Sequence, residues 1–309
     1  MILAVTVASL AVVGMQMGPV SSGGTIHQEA LSLAFAPSGT QFVAGMFDMS
    51  IRIYNAASGQ EVKRFKIPGN PYPCHAVAWS PKGDLIAAGA ENGSVHVFNV
   101  KTGNVYTLTG HIRAIQSLHF NRAGTRLAST GNDDVIRIWD LSSRKTASMI
   151  AGKGINVYGG KFDPSGNRVL TATLGKGMAI YTTGGNMTTS FGGHLGGTND
   201  ADANTAFTRG VSAGRDGKVG VWDLRTNKRI SFLSGHADWV MWVKVSPNGK
   251  YIASSSNDGT VRLWEMSSLK QVAVLDKMSY VGSQLAWSSN SQFLIGQTDM
   301  GKIRIWKVK

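Results

Sequence analysis

Apolar and polar side chains alternate in short stretches along this chain, and the stretches close on aromatic residues: Tyr54, Phe98, Trp139, Tyr181, Trp222, Trp264 and Trp306. Apolar residues usually stand one and three positions before each, as in Ile53 and Ile51, Val97 and Val95, Ile138 and Ile136, and Leu263 and Val261. A period of two with β-branched residues predicts strands, because successive side chains of a strand face opposite sides of its sheet. Turn-forming runs such as Glu91-Asn92-Gly93, Asp216-Gly217 and Asn257-Asp258-Gly259 precede these strands and suit tight reversals. Further strand–turn units lie upstream, for example Val243-Lys244-Val245 leading into Ser246-Pro247-Asn248-Gly249. No long amphipathic helical pattern interrupts them.

The closing aromatics are separated by 44, 41, 42, 41, 42 and 42 residues. Internal repeats of this length are expected of four-stranded blades around a central channel. The expected fold is therefore all-β: one domain over residues 1–309, a seven-bladed β-propeller of four-stranded antiparallel blades.

The residues at these positions resemble the WD-repeat (tryptophan–aspartate repeat) family. The sixth repeat carries the likeness most fully, from Gly235-His236 through Ser246-Pro247-Asn248-Gly249 to Val261-Arg262-Leu263-Trp264-Glu265. The third and fifth repeats end in Trp139-Asp140 and Trp222-Asp223, and matching positions run from Leu31 to Lys309. The resemblance implies a non-enzymatic scaffold that organises a multi-protein complex, with the loops around the channel mouth as its binding face.

Three repeats hold histidine, serine and aspartate in one register: His111, Ser129 and Asp133; His194, Ser212 and Asp216; His236, Ser254 and Asp258. These residue types suit a hydrolase triad. Each set, however, ends in a tryptophan 28 residues after its histidine, at Trp139, Trp222 or Trp264. The resemblance implies a structural hydrogen-bond network repeated blade by blade. Other repeats lack it, with Ala44, Ala88 and Gly296 at the serine position, and with Lys153 for histidine and Gly175 and Met300 for aspartate. Those blades are expected to rely more on apolar packing. In the fifth repeat, Thr198 to Asn204 replaces the usual apolar innermost strand and is expected to be an irregular polar one. Asp200 and Asp202 there are too few for a hard-metal site. Neither Gly217-Lys218 nor Gly249-Lys250 is followed by Ser or Thr, so no phosphate-cradling loop is evident. No cofactor, metal or small-molecule substrate is expected.

Alignment on the sixth repeat places Asp238, Trp239, Tyr72, Arg113 and Tyr280 at the channel mouth, with Phe47 and Arg215 in the facing turns. Trp, Tyr and Arg dominate binding hot spots, because they bury large areas and still form hydrogen bonds. For Trp239, packing between blades is an equal alternative.

Composition sharpens the choice of partner. The chain has 31 Lys and Arg against 18 Asp and Glu, a net charge of +13. Part of this excess is family architecture, since Arg52, Arg137, Arg262 and Arg304 sit two before a closing aromatic. Lys63, Arg64, Lys66, Arg144, Lys145, Lys228 and Arg229 fall on or next to the outermost strand and form a candidate basic rim. Such a rim suits RNA in a ribonucleoprotein or an acidic protein, or simply maintains solubility. Other proteins are thus the expected partners, with RNA as the alternative. The lone Cys74 fits a reducing, intracellular setting, cytoplasmic or nuclear, with an organelle as the alternative. Residues 1–28 are apolar, with no Asp, Glu, Lys or Arg before Glu29. They are read as a closing strand for the last blade. A targeting signal is the alternative, but no basic residue opens the stretch and no transmembrane span is expected.

Overall fold

The computed structural model of the protein describes residues 30–67, 69, 73–151, 157–175, 177–277, 284–297 and 302–308. Among them, seven antiparallel sheets follow one another along the chain, six of four strands and the last of three. They are the blades of a propeller. Blade one spans Ala30–Phe35 to Glu61–Lys66, blade three Ile115–Phe120 to Lys145–Ala151, and blade six Val240–Val245 to Gln271–Lys277. Blade seven holds Leu285–Trp287, Phe293–Gln297 and Ile303–Lys307. The segment expected to complete it, residues 1–28, lies outside the described residues.

Register makes the blades equivalent. The position two before each closing aromatic pairs with the serine position of the neighbouring strand: Arg52 with Ala44, His96 with Ala88, Arg137 with Ser129, Arg262 with Ser254 and Arg304 with Gly296. Alternation sends the apolar residues of each strand to the faces between blades. Val97 and Leu108 of blade two thus pack with Ile115, Leu127 and Trp139 of blade three. Phe42 and Tyr54 of blade one pack with Ile295, Ile303 and Ile305 of blade seven, closing the ring. Fully buried aliphatics such as Ile53 and Ile138 each stabilise the fold by roughly 2 kcal/mol.

The innermost strands of the first six blades each carry a register shift, as at Ser117/Ile115, Thr198/Asp200 and Val240/Trp242. An extra residue in one strand leaves that residue unpaired and re-aims its side chain. Here the unpaired residues include Gln116, Asn199 and Met241. Below them the innermost strands enclose a central cavity of about 530 Å³.

Blade five has the expected irregular polar innermost strand: Thr198–Ala203 pairs from Thr198 with Gly214 to Ala203 with Gly210, with a bulge between Thr198 and Asp200. Its carboxylates are buried but not orphaned. Asp202 accepts from Lys161 Nζ of blade four at 2.6 Å, and from the Val245 amide of blade six at 2.8 Å. Asp200 accepts from Lys244 Nζ at 2.6 Å and the Val243 amide at 3.1 Å. Charged hydrogen bonds to both neighbouring blades replace the usual apolar contacts, so a polar strand holds the innermost place.

Candidate functional site

The three histidine–serine–aspartate sets assemble alike. In blade three, His111 Nδ1 donates to Asp133 at 2.8 Å, Nε2 lies 2.8 Å from Ser129 Oγ, and Trp139 Nε1 donates to the same oxygen at 2.7 Å. In blade five the corresponding distances are 2.9, 2.8 and 2.8 Å among His194, Asp216, Ser212 and Trp222. In blade six His236, Asp258, Ser254 and Trp264 repeat those values. The second carboxylate oxygen accepts the amide after the histidine, from Ile112 in blade three and Leu195 in blade five. With a neutral imidazole every donor meets an acceptor, the condition under which a buried polar chain stabilises. Burial holds each imidazole below its ordinary pKa, against the raising effect of its aspartate. All three serines are 0% exposed and already take a tryptophan N–H. They present no hydroxyl for substrate, so these sets are struts.

Blades without a full set pack rings instead. Tyr54 stacks on Phe42 with centroids 5.3 Å apart, and Phe98 meets Phe65 at 5.4 Å. The residues Lys153 and Met300 lie outside the described residues.

The other gathering of functional side chains is at the channel mouth. Trp239, in the loop entering blade six, is 42% exposed. The Arg215 guanidinium, from a turn of blade five, lies 4.6 Å from its ring centroid. Arg215 Nε donates to Asn199 Oδ1 at 2.9 Å, and Asn199 Nδ2 donates to the Val240 carbonyl at 2.9 Å. A pocket of about 140 Å³ opens there, lined by Gln116, Tyr158, Gly159, Asn199, Arg215, Met241 and Trp242. Four of these seven, Gln116, Gly159, Asn199 and Met241, are unpaired residues of innermost strands. Asp238 turns back, its carboxylate accepting the Trp239 amide at 2.6 Å.

The candidate basic rim does follow the outermost strands, Glu61–Lys66, Lys145–Ala151 and Lys228–Leu233, with Arg144 in the preceding turn. Several of its charges are engaged. Arg64 forms a two-pronged pair with Glu61 at 2.9 and 3.0 Å. Lys63 donates to the Val100 carbonyl at 2.6 Å. Arg144 stacks on Tyr106 and Arg229 on Phe232. Lys66, Lys145 and Lys228 are exposed.

Comparison with known proteins agrees with this geometry. Residues 28–158 match the family model described as WDR54, and residues 227–265 match the WD domain, G-beta repeat. The chain carries a WD repeat at residues 227–265 and is similar to the WD-repeat family. Its curated relatives include periodic tryptophan protein 2 of Arabidopsis thaliana, 28% identical over 62% of this chain and 22% of the relative. Human pre-mRNA-processing factor 17 is 23% identical over 68% of the chain and 38% of the relative. The COMPASS component SWD3 of Saccharomyces cerevisiae is 31% identical over 36% of the chain and 35% of the relative. The chain thus spans about a fifth to two fifths of the length of these relatives.

Of the candidate partner-binding residues of this propeller, the structure joins Arg215 to Trp239. Phe47 and Arg113 are exposed on other blades, and Tyr72 and Tyr280 lie outside the described residues. Sequence reading missed Ile112 and Leu195, 81% and 78% exposed. Each directly follows a network histidine, and that position is the signal that could have found them. It also missed Asn199, Met241, Tyr158, Gln116 and Trp242, which the innermost-strand bulges and loops bring to the mouth. Among the described residues, no group of three or more His, Cys, Asp or Glu gathers as a metal site requires. No helix among them is long and apolar enough to cross a membrane.

Proposed function

We propose that this propeller is a platform that holds protein partners of a larger assembly through its channel-mouth face. The observation that carries the reading is the prearranged pair of Arg215 and Trp239, an exposed aromatic under an anchored guanidinium. Leu195, exposed in the loop that enters blade five, supplies further apolar area. One relative is a COMPASS component, which favours membership of an assembly. Affinity purification of the tagged chain tests the proposal. Trp239→Ala with Arg113→Ala should lose most partners that the intact chain recovers, since central aromatic and arginine positions dominate interfaces. Equal recovery by the variant would sink the face.

The exposed Lys66, Lys145 and Lys228 support a second reading, a ribonucleoprotein subunit that contacts RNA through its outer rim, and another relative is a pre-mRNA-processing factor. The first reading is favoured because Lys63, Arg64, Arg144 and Arg229 are already engaged within the protein. The same purification separates the two, because phosphate-held associations dissolve with RNase and rising salt.

A further inference from the structure

We infer that the pocket beside Trp239 is a carboxylate clamp, which receives an aspartate or glutamate side chain from an extended segment of a partner protein. The inference rests on the platform reading and names the chemistry its face selects.

Three observations carry it. The Arg215 guanidinium is fixed on two sides, with Nε bound by Asn199 and one face covered by the Trp239 ring. Asn199 is itself oriented by the Val240 carbonyl. A planar fork held in this way loses little further freedom when it binds, which lowers the cost of association. The two Nη groups of Arg215 have no partner among the described residues, although the side chain is half-buried. Four N–H donors are therefore presented at the wall of a pocket that supplies no acid of its own. Carboxylate geometry matches such a fork with two parallel hydrogen bonds.

The surroundings select among anions. Arg215 is the sole cation in the pocket lining; the other residues are Gln116, Tyr158, Gly159, Asn199, Met241 and Trp242. One fork neutralises one carboxylate, whereas a phosphate dianion calls for a second positive charge. Asp238 stands next to Trp239, and a run of phosphodiesters would meet its charge. Around the pocket, Trp239, Met241, Trp242 and Tyr158 offer apolar area. The fitting segment carries its acid between apolar residues. Its placement follows from the fold, since unpaired bulge residues of four blades converge there while the ladders beneath stay intact.

An array of synthetic peptides tests the clamp. The probes are extended peptides with apolar flanks and a central glutamate, glutamine or phosphoserine, applied to the full chain. Intact protein should retain glutamate over glutamine peptides by about tenfold, the scale of one charged hydrogen-bonded pair. Arg215→Gln should erase that preference with an unchanged melting temperature, and Arg215→Lys should keep a reduced one. Equal retention of glutamate and glutamine by the intact chain overturns the clamp. So does a glutamate preference that survives in Arg215→Gln, or a stronger preference for phosphoserine. If the clamp fails while Trp239→Ala still loses partners in the purification, the platform stands and only its chemistry is wrong.

Discussion

At the scale of single residues, Ser254 shows how tightly the struts are specified. Its hydroxyl accepts Trp264 Nε1–H and donates to His236 Nε2 in a site closed to water. Ser254→Ala would leave both partners buried and unsatisfied, and an unmade buried hydrogen bond costs roughly 1–3 kcal/mol. The expected loss is about 3 kcal/mol, read as a lower midpoint in urea unfolding. Adding Trp264→Phe should recover part of it, because blade two already holds Ala88 at the serine position and Phe98 at the tryptophan position. A double variant as unstable as the two singles summed would count against a shared network. Gly93 makes the complementary point about backbone. It holds a φ of 86°, and a Cβ there would collide with the His111 carbonyl, so a turn of blade two is fitted to the loop that enters blade three.

At the scale of elements, the innermost strand of blade five ties three blades together. Asp202→Ala leaves the Lys161 ammonium with only the Ala203 carbonyl and the Val245 amide with no acceptor, and breaking a buried ion pair from one side costs several kcal/mol. Because Lys161 keeps part of its side chain in solvent, the expected loss is about 2–3 kcal/mol, again read by urea unfolding. Loss of less than 1 kcal/mol would show that the strap is dispensable. This element also marks where sequence reading stops. Strand periodicity, the closing aromatics and the network register were legible, because each recurs about every 42 residues and is set by local alternation. The lysine partners of Asp200 and Asp202 were not, since they belong to neighbouring blades about forty residues away. A bulge is equally silent: one extra residue leaves no mark on an alternation only six residues long. Asn199 and Met241 therefore read as ordinary strand positions, although they line the mouth. Arg215 and Trp239 could be assigned to one face from repeat alignment. Their stacking depends on how the turn of one blade abuts the entry loop of the next.

For the whole molecule, the buried imidazoles set the pH dependence of stability. Burial lowers the pKa of His96, His111, His194 and His236 below the ordinary value. His119, half-buried in the wall of the central cavity, is lowered to about 3 by desolvation, with Lys161 and Lys244 adding to the effect and Asp202 opposing it. Free histidine titrates near 6.5, so below that pH the unfolded chain binds protons that the folded one refuses. Stability must then fall as pH drops under about 6.5, by roughly 1.4 kcal/mol per pH unit for each imidazole that stays neutral in the fold. Above that pH these groups contribute no slope. The carboxylates act lower down: Asp258 is pushed up by burial but held at about 2 by Thr260 and the Ala237 amide. Its contribution is present above about 4 and fades only as pH falls toward 2. Unfolding free energy measured in urea between pH 8 and pH 5 should be flat at first and then decline steeply. His119→Gln should make that decline shallower, because it removes an imidazole that stays unprotonated in the fold across the whole range. A decline that begins only below pH 4 would mean that the histidines accept protons in place and that the struts tolerate a charged imidazole.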